Sequence, residues 1–229
     1  MRTSRAKERA RAARVVGALL AAYPDARCAL RFGNPLECLV ATVLSAQCTD
    51  ARVNLVTKDL FRTYRTAADY AGAPREEIEK AVRSTGFFRS KARSIQGLAA
   101  ALVRDHGGKV PSTMEELIAL PGVGRKTANV VLGESFGIVS GIVVDTHVHR
   151  LSRRLGLTTG DDPVKIERDL MAVVPEAQWI PFGMRMIAHG RRICDARRPR
   201  CAECPLLPDC PAGAELAGKK PLTARRARG

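Results

Sequence analysis

Aromatic residues are scarce in this sequence, and signals of β-structure are nearly absent. Phe, Trp and Tyr make up only 4% of the 229 residues, whereas Ala, Leu, Arg and Val are abundant, which favours helices. No clear alternating strand pattern occurs except IVSGIVVD at residues 138–145, and there is no long internal repeat. The sequence therefore predicts an all-α protein.

Long apolar runs are also missing, which excludes a helix that spans a membrane. The stretch VVGALLAAY, from Val15 to Tyr23, follows basic residues but is short, and no small-residue cleavage site closes it before Pro24. We interpret it as the buried face of a first helix that ends near Tyr23. We therefore expect an intracellular, cytoplasmic protein. No motif for magnesium or a nucleotide is present either.

Basic residues exceed acidic ones by a formal charge of +15. Such a charge predicts attraction to a polyanion, most plausibly nucleic acid. Much of it lies at the ends, with a net +5 in residues 1–14 and +4 in residues 211–229. Basic ends of this kind can also be solvated and disordered, so the charge does not locate a binding site.

Helix signals follow one another along the chain with short turns between them. Asn34-Pro35 opens one helix that runs to about Gln47, and Asp145 caps another that runs through Leu155. The remaining predicted helices cover residues 49–64 (capped by Thr49 or Asp50), 73–84, 90–106, a short segment after a capping box at Ser112–Glu115, 125–136 and 163–175.

Four of the seven cysteines crowd into CDARRPRCAECPLLPDC, residues 194–210, with spacing C-x6-C-x2-C-x5-C. In an intracellular protein such a cluster indicates metal rather than disulfides. Zinc sites usually pair their ligands across a dozen or more residues, which is not the pattern here. Four thiolates suit zinc and [4Fe–4S] alike, so spacing alone leaves both open. Of the other three cysteines, Cys38 is predicted to be a small buried residue.

The stretch LPGVGRKTANVV, residues 120–131, predicts a helix end, a tight turn and an immediate second helix. Gly122 and Gly124 tolerate unusual backbone angles and permit close approach of another backbone. The turn presents N–H groups at a helix start, which suits a phosphate oxygen. Lys126 lies in the first turn beside Arg125, where the helix end and the neighbouring cation both disfavour a protonated amine. Lys126 is then either a nucleophile for a sugar aldehyde carbon or an ordinary lysine that contacts phosphate.

This stretch resembles a helix–hairpin–helix motif, predicted at about residues 113–136. LPGVGRKTANVVL, followed by VDTHVHR and then by the cysteine pattern, is similar to the endonuclease III family of DNA glycosylases, from about Tyr23 to Cys210. The resemblance implies two helical domains with a DNA-binding cleft between them, and Lys126 and Asp145 on its opposite sides. It also implies hairpin contacts to DNA through Gly122, Val123, Gly124 and Arg125.

The domains expected from this resemblance are interleaved along the chain. Residues 1–28 contribute a basic end and a helix to an iron–sulfur domain completed by residues 140–210. Residues 29–139 form a central helical bundle that carries the hairpin. Residues 211–229 are expected to be a basic, disordered tail.

The resemblance also assigns ligands and a loop. It implies a structural [4Fe–4S] cluster held by Cys194, Cys201, Cys204 and Cys210. The cluster would present the loop DARRPR, whose Arg197, Arg198 and Arg200 would face phosphates. The alternative is that these arginines lie in a solvated loop and bind nothing.

Asp145 is the second expected catalytic residue, since the family pairs an aspartate at this position with the motif lysine. Its carboxylate could take up a proton and stabilise positive charge on the sugar, although a helix cap is an equally ordinary role. For His147 two interpretations stand, support of Asp145 and, as the default, a histidine on the helix surface.

Two further loops are expected to fill the gap left by an extruded nucleotide. Gln47 matches the family's gap-filling polar position. Phe87 is the expected wedge between bases and Phe88 its buried partner. Family members often carry an aliphatic residue at the wedge, so an aromatic ring there leaves the preferred opposite base open.

The resemblance implies a bifunctional DNA glycosylase and AP lyase of base excision repair. Its expected partner is double-stranded DNA that carries an oxidised or ring-saturated pyrimidine or an abasic site. We expect a monomer that associates with the nucleoid, and the Ala- and Arg-rich composition suggests a bacterial source. The alternatives are a monofunctional adenine or thymine mismatch glycosylase and a non-catalytic cysteine-cluster protein that only binds DNA.

Overall fold

The computed structural model describes residues 2–218, and this part of the chain is built from α-helices and short 3-10 turns, with no β-strand. The prediction of an all-α protein is confirmed. The α-helices are α1 (Arg2–Ala22), α2 (Pro35–Leu44), α3 (Asp50–Thr63), α4 (Ala67–Gly72), α5 (Arg75–Val82), α6 (Phe88–His106), α7 (Met114–Ala119), α8 (Arg125–Phe136), α9 (Thr146–Arg154), α10 (Pro163–Met171), α11 (Trp179–Arg192) and α12 (Gly213–Gly218).

The one segment with a strand-like pattern, residues 138–145, forms no strand. A strand needs a partner, and the described residues offer none. Ile142 and Val144 instead pack among helices in a hydrophobic core. Residues 141–144 are buried without alternation, so the apolar residues serve this core and not the face of a sheet.

The chain divides into two compact units, Cys28–Ser140 and a second one that combines Met1–Arg27 with Gly141–Gly229. In the first unit, α2 is buried along Cys38–Leu44 and packs against α3, α6 and α8. Asn34 caps α2 by accepting a hydrogen bond from the Glu37 N–H, as the sequence predicts. A helix buried on most sides gives its flanking loops a fixed base.

Helix α2 ends three residues earlier than expected. Ser45 is its C-cap, and Gln47 lies beyond it in the left-handed region with φ 51°. The capping box predicted at Ser112–Glu115 is also displaced by one residue. Thr113 is the N-cap of α7, and its hydroxyl accepts from the Glu116 N–H. Two adjacent hydroxyl residues, Ser112 and Thr113, made this register ambiguous in the sequence.

In the second unit, α1 packs on α11, which also packs on α9. Val15 and Leu19 are fully buried here and Tyr23 is nearly so, which confirms the predicted apolar face of the first helix. Helix α11 is absent from the sequence prediction because Pro181, Gly183 and Gly190 resemble helix breakers. Gly190 is required by packing, since a Cβ there would lie 2.8 Å from His147 Nδ1.

The short helix α12 lies inside the segment 211–229 that was expected to be a disordered tail. The rest of that prediction, for residues 219–229, lies outside the described residues. Within the described part, no helix is both long and apolar enough to cross a membrane.

Candidate functional site

Helices α7 and α8 enclose the turn Leu120–Gly124 and form the predicted hairpin. Gly122 has φ 75°, and a Cβ placed on it would lie 2.6 Å from both Cβ and Oγ of Ser94 in α6. Val123 beside it is buried. Glycine at 122 is therefore required twice, by backbone angle and by the approach of α6.

Gly124 differs from Gly122 in both respects. Its φ is −97°, an extended conformation open to any residue, and a Cβ there would meet nothing within 4 Å. The expectation that both glycines serve unusual backbone angles is therefore wrong for Gly124. The residue is exposed, so glycine leaves room for a molecule outside the chain.

The N-terminus of α8 follows directly after Gly124, and no side chain caps it. Its first N–H groups and the positive end of the helix dipole therefore suit a phosphate oxygen. Lys126 is exposed in this first turn, and Arg125 beside it is half-buried. The exposed amine is therefore accessible to a molecule that binds at this turn.

Gln47 and Phe87 share a rare backbone state. In the described chain they are the two residues other than glycine with positive φ, 51° and 48° respectively. Left-handed angles cost a side-chain-bearing residue about 1–2 kcal/mol and concentrate at functional sites. Both residues are exposed, Phe87 to 64% of its surface.

Phe88, the first residue of α6, was expected to be buried beneath the wedge. It is only half-buried, and the guanidinium groups of Arg83 and Arg89 lie 5.9 Å and 5.6 Å from its ring centroid. Attraction between these two cations and the ring holds Phe88 at the base of the loop. Of these two phenylalanines, Phe87 is the one whose side chain is largely exposed to solvent.

Asp145 is the N-cap of α9, as predicted. Its Oδ1 accepts hydrogen bonds of 2.8 Å from the N–H groups of His147 and Val148. Both bonds use the same oxygen, so Oδ2 can accept a proton while the cap stays intact. Asp145 is half-buried, which strengthens its electrostatic effect on a nearby cation.

The contacts of the His147 side chain are structural. Its Nδ1 lies 3.1 Å from Arg150 Nη2, and its ring packs against Gly190. Burial lowers the pKa of His147, although the Asp145 carboxylate opposes that shift. The ring serves packing between α9 and α11, while the backbone N–H holds Asp145.

The four clustered cysteines are half-buried, and three of them, Cys194, Cys204 and Cys210, pack against the hydrophobic core. Burial raises the pKa of Cys204 and Cys210, and the neighbouring Cys194 and Cys201 raise it further. No group of three or more metal-binding side chains in the described residues lies close enough to hold a single ion.

Two arginines of α9 hold the backbone around Cys194, and sequence reasoning did not find them. Arg154 donates to Cys194 Sγ at 3.2 Å, to the Asp195 carbonyl at 2.8 Å and to the Ala196 carbonyl at 2.9 Å. Arg150 donates to the carbonyls of Cys194 and Gly190 at 2.9 Å and 3.1 Å. Their spacing of four residues on one helix face is the only signal that could have revealed them.

A histidine supports the cysteine cluster from the core side. His189 in α11 is buried, with its Nε2 3.4 Å from Cys204 Sγ and its Nδ1 2.9 Å from the Tyr23 hydroxyl. A ring nitrogen of His189 thus lies at Cys204 Sγ, and the Arg154 guanidinium lies at Cys194 Sγ, where its charge favours the anionic thiolate.

The loop DARRPR is exposed at all three predicted arginines. Asp195 accepts from the N–H groups of Arg197 and Arg198, which lowers the Asp195 pKa and folds the loop back on itself. Arg200 is already engaged, because its guanidinium donates to Glu203 at 3.0 Å and to the Arg192 carbonyl. Arg197 is thus better placed than Arg200 to meet an external phosphate.

The predicted residues fall into two groups. Lys126, the hairpin, Gln47 and Phe87 belong to the unit Cys28–Ser140, whereas Asp145 and the four cysteines belong to the other unit.

Residues 40–176 match the HhH-GPD superfamily of base excision DNA repair proteins. The chain is 52% identical to endonuclease III of Synechocystis sp., over 90% of this chain and 94% of the relative. It is 49% identical to endonuclease III of Bacillus subtilis, over 89% and 92% respectively. A solved structure of a trapped endonuclease III–DNA covalent intermediate is similar with TM-score 0.84 and 50% identity, over 87% of this chain and 94% of that one.

Proposed function

This chain belongs to the endonuclease III family and is a bifunctional DNA glycosylase and AP lyase of base excision repair, and we propose that Lys126 and Asp145 carry its chemistry. The observation that supports this most strongly is the exposed Lys126 in the uncapped first turn of α8, directly after the hairpin. A bound phosphate at that turn brings the sugar to the lysine.

In the proposed reaction the damaged nucleotide leaves the base stack, and Lys126 Nζ attacks C1′ of its sugar. The bond from C1′ to the base nitrogen breaks, and the base leaves with its electron pair and acquires a proton. The ionised Asp145 carboxylate first stabilises the positive charge that develops on the sugar as the base leaves, and its Oδ2 then takes up the proton lost by the attacking amine.

Strand cleavage follows from the same covalent intermediate. Once the ring has opened, the Schiff base of Lys126 with C1′ acidifies the C2′–H bond. Loss of that proton forms a C1′–C2′ enamine, whose electrons then expel the 3′ phosphate oxygen by β-elimination. Water finally hydrolyses the Schiff base and regenerates the amine.

The substrate we propose is duplex DNA with an oxidised or ring-saturated pyrimidine, or with an abasic site. The hairpin and the loop arginine Arg197 bind phosphates, and the exposed side chains of Gln47 and Phe87 fill the gap left by the extruded nucleotide. We further propose that the protein acts as a monomer on nucleoid DNA in the cytoplasm of a bacterium; the relatives named above are bacterial proteins.

The four clustered cysteines, Cys194, Cys201, Cys204 and Cys210, are proposed to hold a [4Fe–4S] cluster. The Arg154 guanidinium at Cys194 Sγ supports this proposal, since the cation favours an anionic thiolate in half-buried surroundings that by themselves disfavour it. When bound, the cluster would fix the two ends of the loop DARRPR, since Cys194 precedes it and Cys201 follows it.

Borohydride trapping tests the chemistry. On a duplex with one oxidised thymine, the wild-type protein should give a covalent protein–DNA band, and Lys126→Ala should give none. Lys80→Ala, which removes an exposed lysine in the same unit, is the matched control and should trap normally. Trapping by the Lys126→Ala protein would contradict the assignment of the nucleophile.

Asp145→Asn separates catalysis from capping, because Asn caps a helix as well as Asp does. The variant should keep the wild-type melting temperature while its single-turnover rate falls by about a hundredfold, the lower end of what general acid–base catalysis supplies. An unchanged rate would reduce Asp145 to a helix cap.

A further inference from the structure

Lys91, near the start of α6, is a buried charged residue that the proposed chemistry does not use. Only 5% of its surface is exposed. Its Nζ donates two hydrogen bonds of 2.8 Å, one to the Leu44 carbonyl and one to the Thr85 carbonyl. A buried ammonium is costly to place, so its position between two backbone acceptors indicates a specific task.

The Leu44 carbonyl is the last of α2 and needs a partner from outside the helix. Ala41 and Val43 carbonyls are taken by the N–H groups of Ser45 and Ala46. Lys91 supplies the partner for Leu44, and a cation at a helix C-terminus also matches the helix dipole. It thereby fixes the point from which the chain enters the left-handed turn at Gln47, three residues later.

The Thr85 carbonyl lies just before the second left-handed residue, Phe87. Lys91 holds this loop twice, because its backbone N–H donates to the Phe87 carbonyl at 3.0 Å while its Nζ donates to Thr85. The chain on both sides of Gly86 is therefore tied to one residue, before it by the Lys91 side chain and after it by the Lys91 backbone.

The Lys91 side chain thus joins two loops, because it bonds to Leu44, 47 residues before it, and to Thr85, six residues before it. These loops carry Gln47 and Phe87, the two strained residues of the described chain that keep a side chain. Burial lowers the pKa of Lys91, but a neutral amine still has two N–H donors. The link therefore does not depend on the protonation state.

We propose that Lys91 is a positioning residue that sets the separation between Gln47 and Phe87, so that both side chains enter the gap in the duplex together. The proposal rests on the gap-filling roles proposed above for these two residues. Lys91 touches neither the sugar nor the base, so it acts on opening of the duplex and not on the chemistry at C1′.

Two substrates separate these effects. A duplex with an oxidised thymine needs the gap to be filled, whereas a single-stranded oligonucleotide with an abasic site needs only Lys126 and its partners. Lys91→Met keeps the length and apolar volume of the side chain but removes the donors. We expect its single-turnover rate on the duplex to fall by about tenfold or more, with cleavage of the single strand within about twofold of wild type.

A 2-aminopurine opposite the lesion provides a second readout, because its fluorescence rises when a neighbouring side chain unstacks it. Wild type should give the rise, Lys91→Met should give a weaker or slower one, and Lys91→Arg should restore part of it. Ile95→Ala is the matched control, because it truncates a fully buried residue one turn further along α6. It should lower stability while leaving the ratio of the two rates unchanged.

The outcomes distinguish this proposal from the proposed function. Equal duplex rates for wild type and Lys91→Met, or equal losses on both substrates, would overturn the positioning role. Failure of the wild-type protein to cleave or trap either substrate would overturn the proposed chemistry instead. If Lys91→Met does not fold, Lys91→Gln, which keeps an amide donor, undergoes the same two-substrate comparison, and an unchanged ratio there overturns the proposal.

Discussion

The hairpin turn and the two gap-filling loops use the same backbone conformation in opposite ways. Gly122 in the hairpin and Gln47 and Phe87 in the loops all have φ between 48° and 75°. In the hairpin the backbone itself is proposed to contact DNA, so the absence of a side chain is useful. In the loops the side chain is proposed to contact DNA, so a residue with a side chain is present although the left-handed backbone costs about 1–2 kcal/mol at each position.

The surroundings of the two regions differ accordingly. At Gly122 the space for a side chain is taken by Ser94, whereas the Phe87 side chain is largely exposed and is held through the carbonyls around it. Strained loops persist only where their neighbours fix them. The contrast predicts that substitutions in the hairpin and in the loops will affect stability with opposite sign.

The largest effect is expected for Gly122→Ala. Its Cβ would lie 2.6 Å from the Ser94 side chain at a φ of 75°, so we expect a loss of about 2–4 kcal/mol in the free energy of unfolding. Urea denaturation measures it. A loss below about 0.5 kcal/mol would show that α6 yields easily and that the hairpin is not constrained there.

Gly124→Ala sharpens the comparison, since it adds the same methyl group two residues away. Its Cβ meets nothing within 4 Å and its φ of −97° suits alanine, so stability should stay within about 0.5 kcal/mol of wild type. Duplex binding should weaken by about tenfold, because the methyl group stands where a phosphate approaches. Unchanged affinity in a titration at fixed salt would exclude Gly124 from the interface.

Phe87→Gly should stabilise the protein while it damages function. Glycine relieves the strain at φ 48° and little burial is lost, so thermal unfolding should report a gain of about 0.5–1 kcal/mol. Excision from the duplex should slow by about tenfold. Phe87→Ala is the control, because it loses the ring but keeps the strain, and a gain in stability equal to that of glycine would contradict the explanation.

Asp69 offers the smallest effect, at an ordinary helix start without left-handed residues. Hydrogen bonds from the N–H groups of Thr66 and Arg65 lower its pKa below 3.8. Its folded-state pKa is depressed, so its contribution to stability is complete above about pH 3.8 and is lost as the pH falls through the folded value. Asp69→Asn should flatten the fall in stability between pH 5 and pH 3, and a slope identical to wild type would exclude the contribution.

Local signals predicted much of the fold. Gly124 and Gly137 bound α8 as the sequence indicates, and Asp145 caps α9. Helix α11 was not predicted because its glycines look like helix breakers in the sequence. In the structure they allow close packing against His147 and Val143, which only the tertiary structure reveals.

The residues around the candidate site were less accessible to sequence reasoning than the site itself. Lys91 reaches a carbonyl 47 residues away, and Arg154 reaches a carbonyl 41 residues away. These acceptors are backbone carbonyls, which every residue has, so the sequence does not indicate which of them is bonded. Gly124 was predicted to serve the backbone angle, but only its measured conformation and the open space beside it indicate an external partner.

The central claim is that the hairpin presents Lys126 as the nucleophile. The most direct measurement is to trap the protein with borohydride on a duplex with one oxidised thymine, digest both components and locate the adduct by mass spectrometry. The account predicts a reduced sugar fragment on the peptide that contains Lys126. An adduct on the N-terminal amine or on another lysine would contradict it.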